Sequence, residues 1–345
     1  MDLADSWRAT AADRKPVLAV STAVQPETHV VIGGSGASGR VVVRLLAQRG
    51  VHVRAVSRRG NFPVPPGVET VGADATDADR MREVCAGATV VYHCAMPPFR
   101  DWRRLFPPMT DAMLAGAEAA GARLVFADDT WMYGAVDRPM TEDLPSRPVS
   151  DRGVLRAWLA EKLLRAHDQG RVPVAIARAG ELYGPAVESV LARGLFGAAS
   201  AGRRARWFGN LDLPITPTYI EDFGRGLVTL GEHPDVVGRA WHVPTERPTT
   251  GRDFVRAVFD EAGTTGRVTA ISARTARALG LVSSLAREGA AILYQFEQPF
   301  IVDSGDFARR FDVAPTPYRD GIRATLDWYR AGGSPLTWSG RSRGR

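Results

Sequence analysis

The chain has 345 residues, 45% of them hydrophobic and 24% charged, enough apolar content to bury one large core or two fused ones. No run approaches the 18 or so uncharged apolar residues of a spanning helix, and the opening "MDLADSWRATAADRK" mixes its charges. A membrane span and a secretory leader are therefore not expected, and a reducing, cytoplasmic setting is. The formal charge of +6 is spread among acids along nearly every segment, lysine stands only at Lys15 and Lys162, and only the tail "SGRSRGR" is a basic cluster, so a nucleic-acid partner is not expected. Cys85 and Cys94 make no paired framework, and the six histidines lack the spacing of a zinc site, which argues against a structural metal.

After an N-terminal extension (1–27), "THVVIGGSGASGRVVVRLLAQRGVHVRAVSRRG" reads as a strand at 29–32, a glycine turn, a helix with apolar Val42, Val43, Leu45 and Leu46, and a second strand near 51–56. That is a βαβ unit. In the turn, Gly33 permits a tight reversal, Gly36 lets the backbone approach a pyrophosphate, and Gly39 lets the helix pack on the strand. Ser35, Ala37 and Ser38 complete a turn whose helix N-terminus faces the phosphates. Where a protein using NAD would place an acid for the ribose hydroxyls, Ser57, Arg58 and Arg59 follow the second strand. Guanidinium groups clamp a 2′-phosphate, so NADP is favoured, with NAD left open.

A third strand near 69–72 leads into "GADATDAD", placing Asp74 and Ala75 at the adenine. "ATVVYHCAMPP" supplies a fourth strand, with Cys94 and Ala95 beside phosphates and ribose. A helix at about 109–120 and the strand "ARLVFADD" follow. Strands alternating with helices predict an α/β fold, a doubly wound parallel (Rossmann) sheet with ligands at the carboxyl ends of its strands.

With "GGSGASG", "GADATD", "WMYG" (131–134), "ARAGELYGP" (177–185), "PTYIEDFGRGLVTLGEHP" (217–234) and "PTPYRDGIRATLDWYR" (315–330), the chain resembles the extended short-chain dehydrogenase/reductase superfamily, in its NAD-dependent epimerase/dehydratase group, over residues 28 to about 330. The resemblance implies an NADP-binding Rossmann domain at 28–185 and a smaller, mostly helical substrate region at 186–330, some of whose segments return to the first domain. A basic tail at 331–345 follows.

The same resemblance implies a tyrosine and lysine in Y-x-x-x-K and a Ser or Thr that orients a carbonyl. Here one register puts Arg152 and Arg156 in those two places, and the other puts Gly153 and Ala157 there. Lys162 with Trp158 has the spacing but lies too close to the next strand. Arg156 is expected to bind the cofactor ribose, with Arg178 also at the cofactor. In "ADDTWMYG", Asp129, Thr130 and Tyr133 become the acid–base candidates, the alternative for Asp129 being a turn cap.

Phe99, Trp102, Trp131, Tyr183, Tyr219 and Tyr294, with Glu181, are the candidate substrate contacts. They suit an apolar or aromatic small molecule better than a nucleotide sugar. The function expected is an NADP-dependent oxidoreductase or epimerase-type enzyme, with an atypical proton donor, acting on a ketone- or hydroxyl-bearing molecule of secondary metabolism. A non-catalytic NADP-binding redox sensor or scaffold, and a redox-neutral isomerase or cyclase, stay open, as does a homodimer.

Overall fold

The computed structural model describes residues 27–189, 191–272, 275 and 292–334. Residues 1–26 of the N-terminal extension and 335–345 of the basic tail lie outside them.

Seven parallel strands form the central sheet: β1 (Thr28–Ile32), β2 (His52–Ser57), β3 (Glu69–Gly72), β4 (Val90–His93), β5 (Arg123–Asp128), β6 (Val174–Arg178) and β7 (Arg239–His242). They lie in the order β7-β6-β5-β4-β1-β2-β3. The order reverses between β1 and β4, which opens a crevice at their carboxyl ends. The inner strands β4 and β6 are buried along their whole length, matching their unbroken apolar runs.

Helix α1 (Ala37–Gln48) packs with α5 (Ile220–Glu232) on one face of the sheet, and α2 (Ala78–Cys85), α3 (Trp102–Ala120) and α4 (Asp151–Asp168) cover the other. The apolar positions of α1 (Val41, Val42, Val43 and Leu46) recur at helical spacing and are all buried. Asp77 caps α2 by accepting from Arg80 N, and Ser150 caps α4 by accepting from Gly153 N. Helix α3 begins at Trp102, seven residues before the expected start, and runs through Pro107 and Pro108. Those prolines remove two backbone donors, and burial of Trp102, Phe106 and Met109 offsets the loss.

Beyond β6 the chain builds α6 (Gly251–Ala262), α7 (Gly305–Phe311) and α8 (Tyr318–Arg330), with two-strand pairs such as 205–208 with 268–271. Strand β7 comes from this part of the sequence and returns to the main sheet beside β6. Among the described residues no helix is long and apolar enough to cross a membrane.

Candidate functional site

At the crevice the chain leaves β1 and turns at Gly33, with φ of +88°. A Cβ there would stand 2.5 Å from Ala95 N and 2.6 Å from Ala95 Cα, so Gly33 is what lets the turn lie against the end of β4. A Cβ on Gly39 would overlap the Gly33 carbonyl, because α1 packs directly on the turn. One on Gly36 would meet nothing nearer than the Gly33 oxygen at 3.3 Å. Gly36 is also the N-cap of α1, with no side-chain cap and no acid in the first turn, so the helix N-terminus is open to an anion. Ser38 hydrogen-bonds the Cys94 thiol, which burial pushes up to about 12. Arg40 adds a cation, its Nε donating to Ser35 O at 2.8 Å. The sequence reading passed over Arg40 because an arginine one turn into a helix looks like any surface arginine.

At the end of β2, the Ser57 hydroxyl accepts from Gly60 N. Arg58 and Arg59 are exposed, and no ion pair or hydrogen bond engages their side chains among the described residues. Asp74, accepting from Thr76 N at 2.9 Å and Thr76 Oγ1 at 2.8 Å, is held below the usual carboxylate range by those bonds, and the nearby Arg58 adds to the effect. An uncapped helix end, a cradle that side chains would fill and two uncommitted guanidinium groups fit a phosphorylated dinucleotide. Gly36→Ala is therefore expected to keep the far-UV spectrum and melting temperature of the parent while abolishing dinucleotide binding by calorimetry. Gly39→Ala is expected to lower the melting temperature itself.

The second part of the site follows from strand register. Asp128 of β5 stands opposite Arg178 of β6, and Arg178 opposite His242 of β7, so the three side chains form one row across the sheet. Asp128 Oδ2 accepts from Arg178 Nε at 3.2 Å and its Oδ1 accepts from Arg156 Nη1 at 3.4 Å. Arg178 Nη1 donates to the Tyr133 hydroxyl at 2.7 Å, and that hydroxyl meets His242 Nε2 at 2.8 Å. His242 Nδ1 faces the Asp303 carbonyl at 2.8 Å. A carbonyl only accepts, so Nδ1 carries the hydrogen, and Nε2 accepts the Tyr133 proton. Register between strands far apart in sequence was not readable, which is why His242 was missed.

Arg156 reaches this row from the second turn of α4 and is 1% exposed. Its Nε pairs with Asp129 Oδ2 at 2.9 Å, and its guanidinium lies over the rings of Trp102 (4.7 Å), Phe106 (4.6 Å) and Phe126 (5.7 Å). Arg156 and Arg178, expected at the cofactor, thus have their charge directed at carboxylates inside the protein. Two guanidinium groups face two carboxylates, and burial still prevails: Asp128 is pushed up to about 6, and Asp129 is also raised, against the pull of Arg156.

Of the three acid–base candidates, Tyr133 is fully buried with both hydroxyl partners inside the protein, and Thr130 is buried with no partner for its hydroxyl. Asp129 keeps a side chain 20% exposed. Its Oδ1 accepts from Trp131 N at 2.9 Å, so it caps the turn as well as facing Arg156. Lys162, by contrast, pairs with Asp111 of α3 on the outer surface.

Four of the expected substrate contacts come together. Phe99 stacks on Trp102 with centroids 4.9 Å apart, Trp102 on Trp131 at 5.6 Å, and the Tyr294 hydroxyl donates to Trp131 O at 3.4 Å. Glu181 joins them through Gln295, whose Nε2 donates to Glu181 Oε2 at 3.2 Å and whose Oε1 accepts from Trp131 Nε1 at 3.4 Å. Tyr183 and Tyr219 lie elsewhere, in an aromatic cluster with Phe196, Phe254 and Tyr318 that belongs to the other core.

Buried histidines set an expected pH dependence of stability. Burial pushes His93 down to about 3 and His242 down to about 4, so both stay neutral while unfolded histidine takes up a proton near 6.5. The unfolded state then binds more protons, and stability should fall as pH drops from 6.5 towards 4. The raised Asp128 and Asp129 act in the opposite sense, since the folded state binds more protons up to about pH 6 for Asp128. His93 and His242 each depart further from their ordinary value than Asp128 does, so a net loss of melting temperature between pH 7 and 5 is expected, and His93→Phe should reduce it.

Comparison with known proteins agrees with this architecture. The NAD dependent epimerase/dehydratase family pattern matches residues 29–243. Mouse sterol-4-alpha-carboxylate 3-dehydrogenase (decarboxylating) is 25% identical over 66% of this chain and 67% of its own. The dTDP-6-deoxy-L-talose 4-dehydrogenase (NAD(P)(+)) of Kitasatospora kifunensis is 26% identical over 72% of this chain and 83% of its own. Among solved structures, UDP-glucuronic acid 4-epimerase from Bacillus cereus, in complex with NAD, superposes with a TM-score of 0.71 at 18% identity, covering 88% of this chain and 99% of that one. With a family match over more than half its length, a Rossmann sheet and a glycine cradle at the crevice, the chain belongs to the NAD-dependent epimerase/dehydratase family.

Proposed function

We propose that this protein is an NADP-dependent oxidoreductase or epimerase-type enzyme acting on a ketone- or hydroxyl-bearing small molecule, and that Asp129 moves the proton. One observation carries the reading: at the carboxyl end of a central strand, Asp129 is the acid–base candidate that is both accessible and electrostatically tuned, 2.9 Å from the buried Arg156. A bound dinucleotide would supply the hydride acceptor or donor. Asp129, its carboxyl raised above the usual carboxylate range by burial, is the group that exchanges the proton, and the charge of Arg156 pulls the other way, towards the ionised form. Phe99, partly exposed at the edge of its stack with the buried Trp102 and Trp131, offers the substrate an apolar edge.

The preference for the phosphorylated cofactor rests on Arg58 and Arg59. Two lost charge-assisted bonds exceed about 1.4 kcal/mol, so NADP(H) should bind at least about tenfold more tightly than NAD(H), and Arg58→Ala with Arg59→Ala should remove most of the gap. Equal affinities in the parent protein contradict the assignment.

A second reading, a binding protein without chemistry, is favoured by the degree to which Asp128, Arg156, Arg178 and Tyr133 satisfy one another. Substrate-dependent, stoichiometric consumption of NADPH across a panel of alkyl and aryl ketones supports the enzyme. Tight NADPH binding with neither consumption nor isomerisation of any ketone- or hydroxyl-bearing compound supports the second reading.

A further inference from the structure

Proton transfer at a substrate oxygen needs a hydrogen-bond donor as well as Asp129, and hydroxyl groups near the strand ends are few. The seven tyrosines of the chain can be placed in turn. Tyr92 lies at the opposite, amino-terminal side of the sheet with His29. Tyr133 is enclosed between Arg178 and His242, and the hydroxyl of Thr130 is buried. Tyr183, Tyr219 and Tyr318 form the separate aromatic cluster, and Tyr329 donates to Ala192 O.

Tyr294 is different. It enters from the short helical turn Leu293–Phe296, is only partly buried, and its hydroxyl donates to Trp131 O over 3.4 Å, a length at which the bond is weak and easily exchanged. Trp131 is also the residue whose N–H is held by Asp129, and its carbonyl is the atom that a Cβ on Gly153 would approach to 2.5 Å. The phenol, the accessible carboxylate and the first turn of α4 therefore all meet the backbone of one residue, Trp131. We propose that Tyr294 is a catalytic residue of this site, a neutral phenol that donates a hydrogen bond to the substrate oxygen while Asp129 transfers the proton. Burial and the charge of Asp129 both push the pKa of the Tyr294 phenol above its ordinary value, which keeps its O–H intact at neutral pH. The hydroxyl exchanges the Trp131 carbonyl for the substrate oxygen, so no other bond is broken by its engagement.

This inference rests on the enzyme reading above. The test is steady-state NADPH turnover with the ketone panel for the parent, Tyr294→Phe and Asp129→Asn, with NADPH affinity measured alongside. Tyr294→Phe should lower kcat about 10²-fold, as loss of one positioned donor does, with NADPH affinity unchanged and KM within about threefold. Fluorotyrosines at 294, which keep the hydroxyl, should restore turnover with a kcat that changes with the acidity of the ring, which a packing role would not do. Parental kcat in Tyr294→Phe beside an inactive Asp129→Asn overturns Tyr294 and leaves the enzyme reading standing. Lost turnover in Tyr294→Phe with a kcat indifferent to ring acidity across the fluorotyrosine proteins also overturns it. A parent that neither consumes NADPH with any ketone nor isomerises any ketone- or hydroxyl-bearing compound with NADP(H) bound defeats the enzyme reading, and this inference with it.

Discussion

Arg156→Ala is expected to lower the unfolding free energy by about 3–5 kcal/mol at pH 7.5, the cost of leaving buried carboxylates without their partner. Three effects add. Asp128, fully buried, would keep only Arg178, and Asp129 would lose its ion pair. The aromatic rings of Trp102, Phe106 and Phe126 would line an empty volume. The melting temperature should fall by roughly 10 °C. Removing the cation also raises both carboxyl groups further, so they protonate more readily and the penalty should shrink at pH 5. Arg156→Lys should recover part of the loss only, because an ammonium cannot reach both Asp128 and Asp129 or lie flat on the rings. Thermal unfolding at the two pH values checks this, and an alanine variant that melts with the parent would show that the network contributes nothing to the fold.

The parts of the fold legible in the sequence are those written in local patterns. The strand, glycine turn and helix from Thr28 to Gln48 carry their own periodicity, and Gly33 and Gly39 stand where a side chain would collide. Arg156 could be singled out by its spacing along α4, but its direction could not: whether a guanidinium meets a ribose or a carboxylate depends on what the next strand places beneath it. Asp128, Arg178 and His242 become neighbours only through the parallel register of β5, β6 and β7, which no local pattern encodes. Aromatic residues were visible as a set and not as two sets. Trp131 and Tyr294 meet because the segment at 293–296 folds back onto the turn after β5, whereas Tyr183 and Tyr219 are partners in a short strand pair facing the other core. Helix α3 starts seven residues before the expected 109 because burial of Trp102 and Phe106 carries it through Pro107 and Pro108.

Asp129→Asn bears most directly on the central claim. Asparagine keeps the size of the side chain and an oxygen that can accept from Trp131 N, so the turn at 129–131 should survive. It cannot exchange a proton, and it removes one of two neighbouring carboxylates while Asp128 keeps both guanidinium groups, so the fold should not suffer as it does in Arg156→Ala. Loss of a positioned acid–base group typically costs 10²–10⁴-fold in rate, whereas a residue that only shapes the cofactor site changes affinity instead. The decisive measurement is therefore kcat for NADPH-dependent turnover in the parent, Asp129→Asn and, as a control on the far face of α4, Lys162→Ala. The account predicts a fall of at least about 10²-fold in Asp129→Asn with NADPH affinity retained, and parental turnover in Lys162→Ala. Full turnover in Asp129→Asn, with or without a loss in Lys162→Ala, would contradict it.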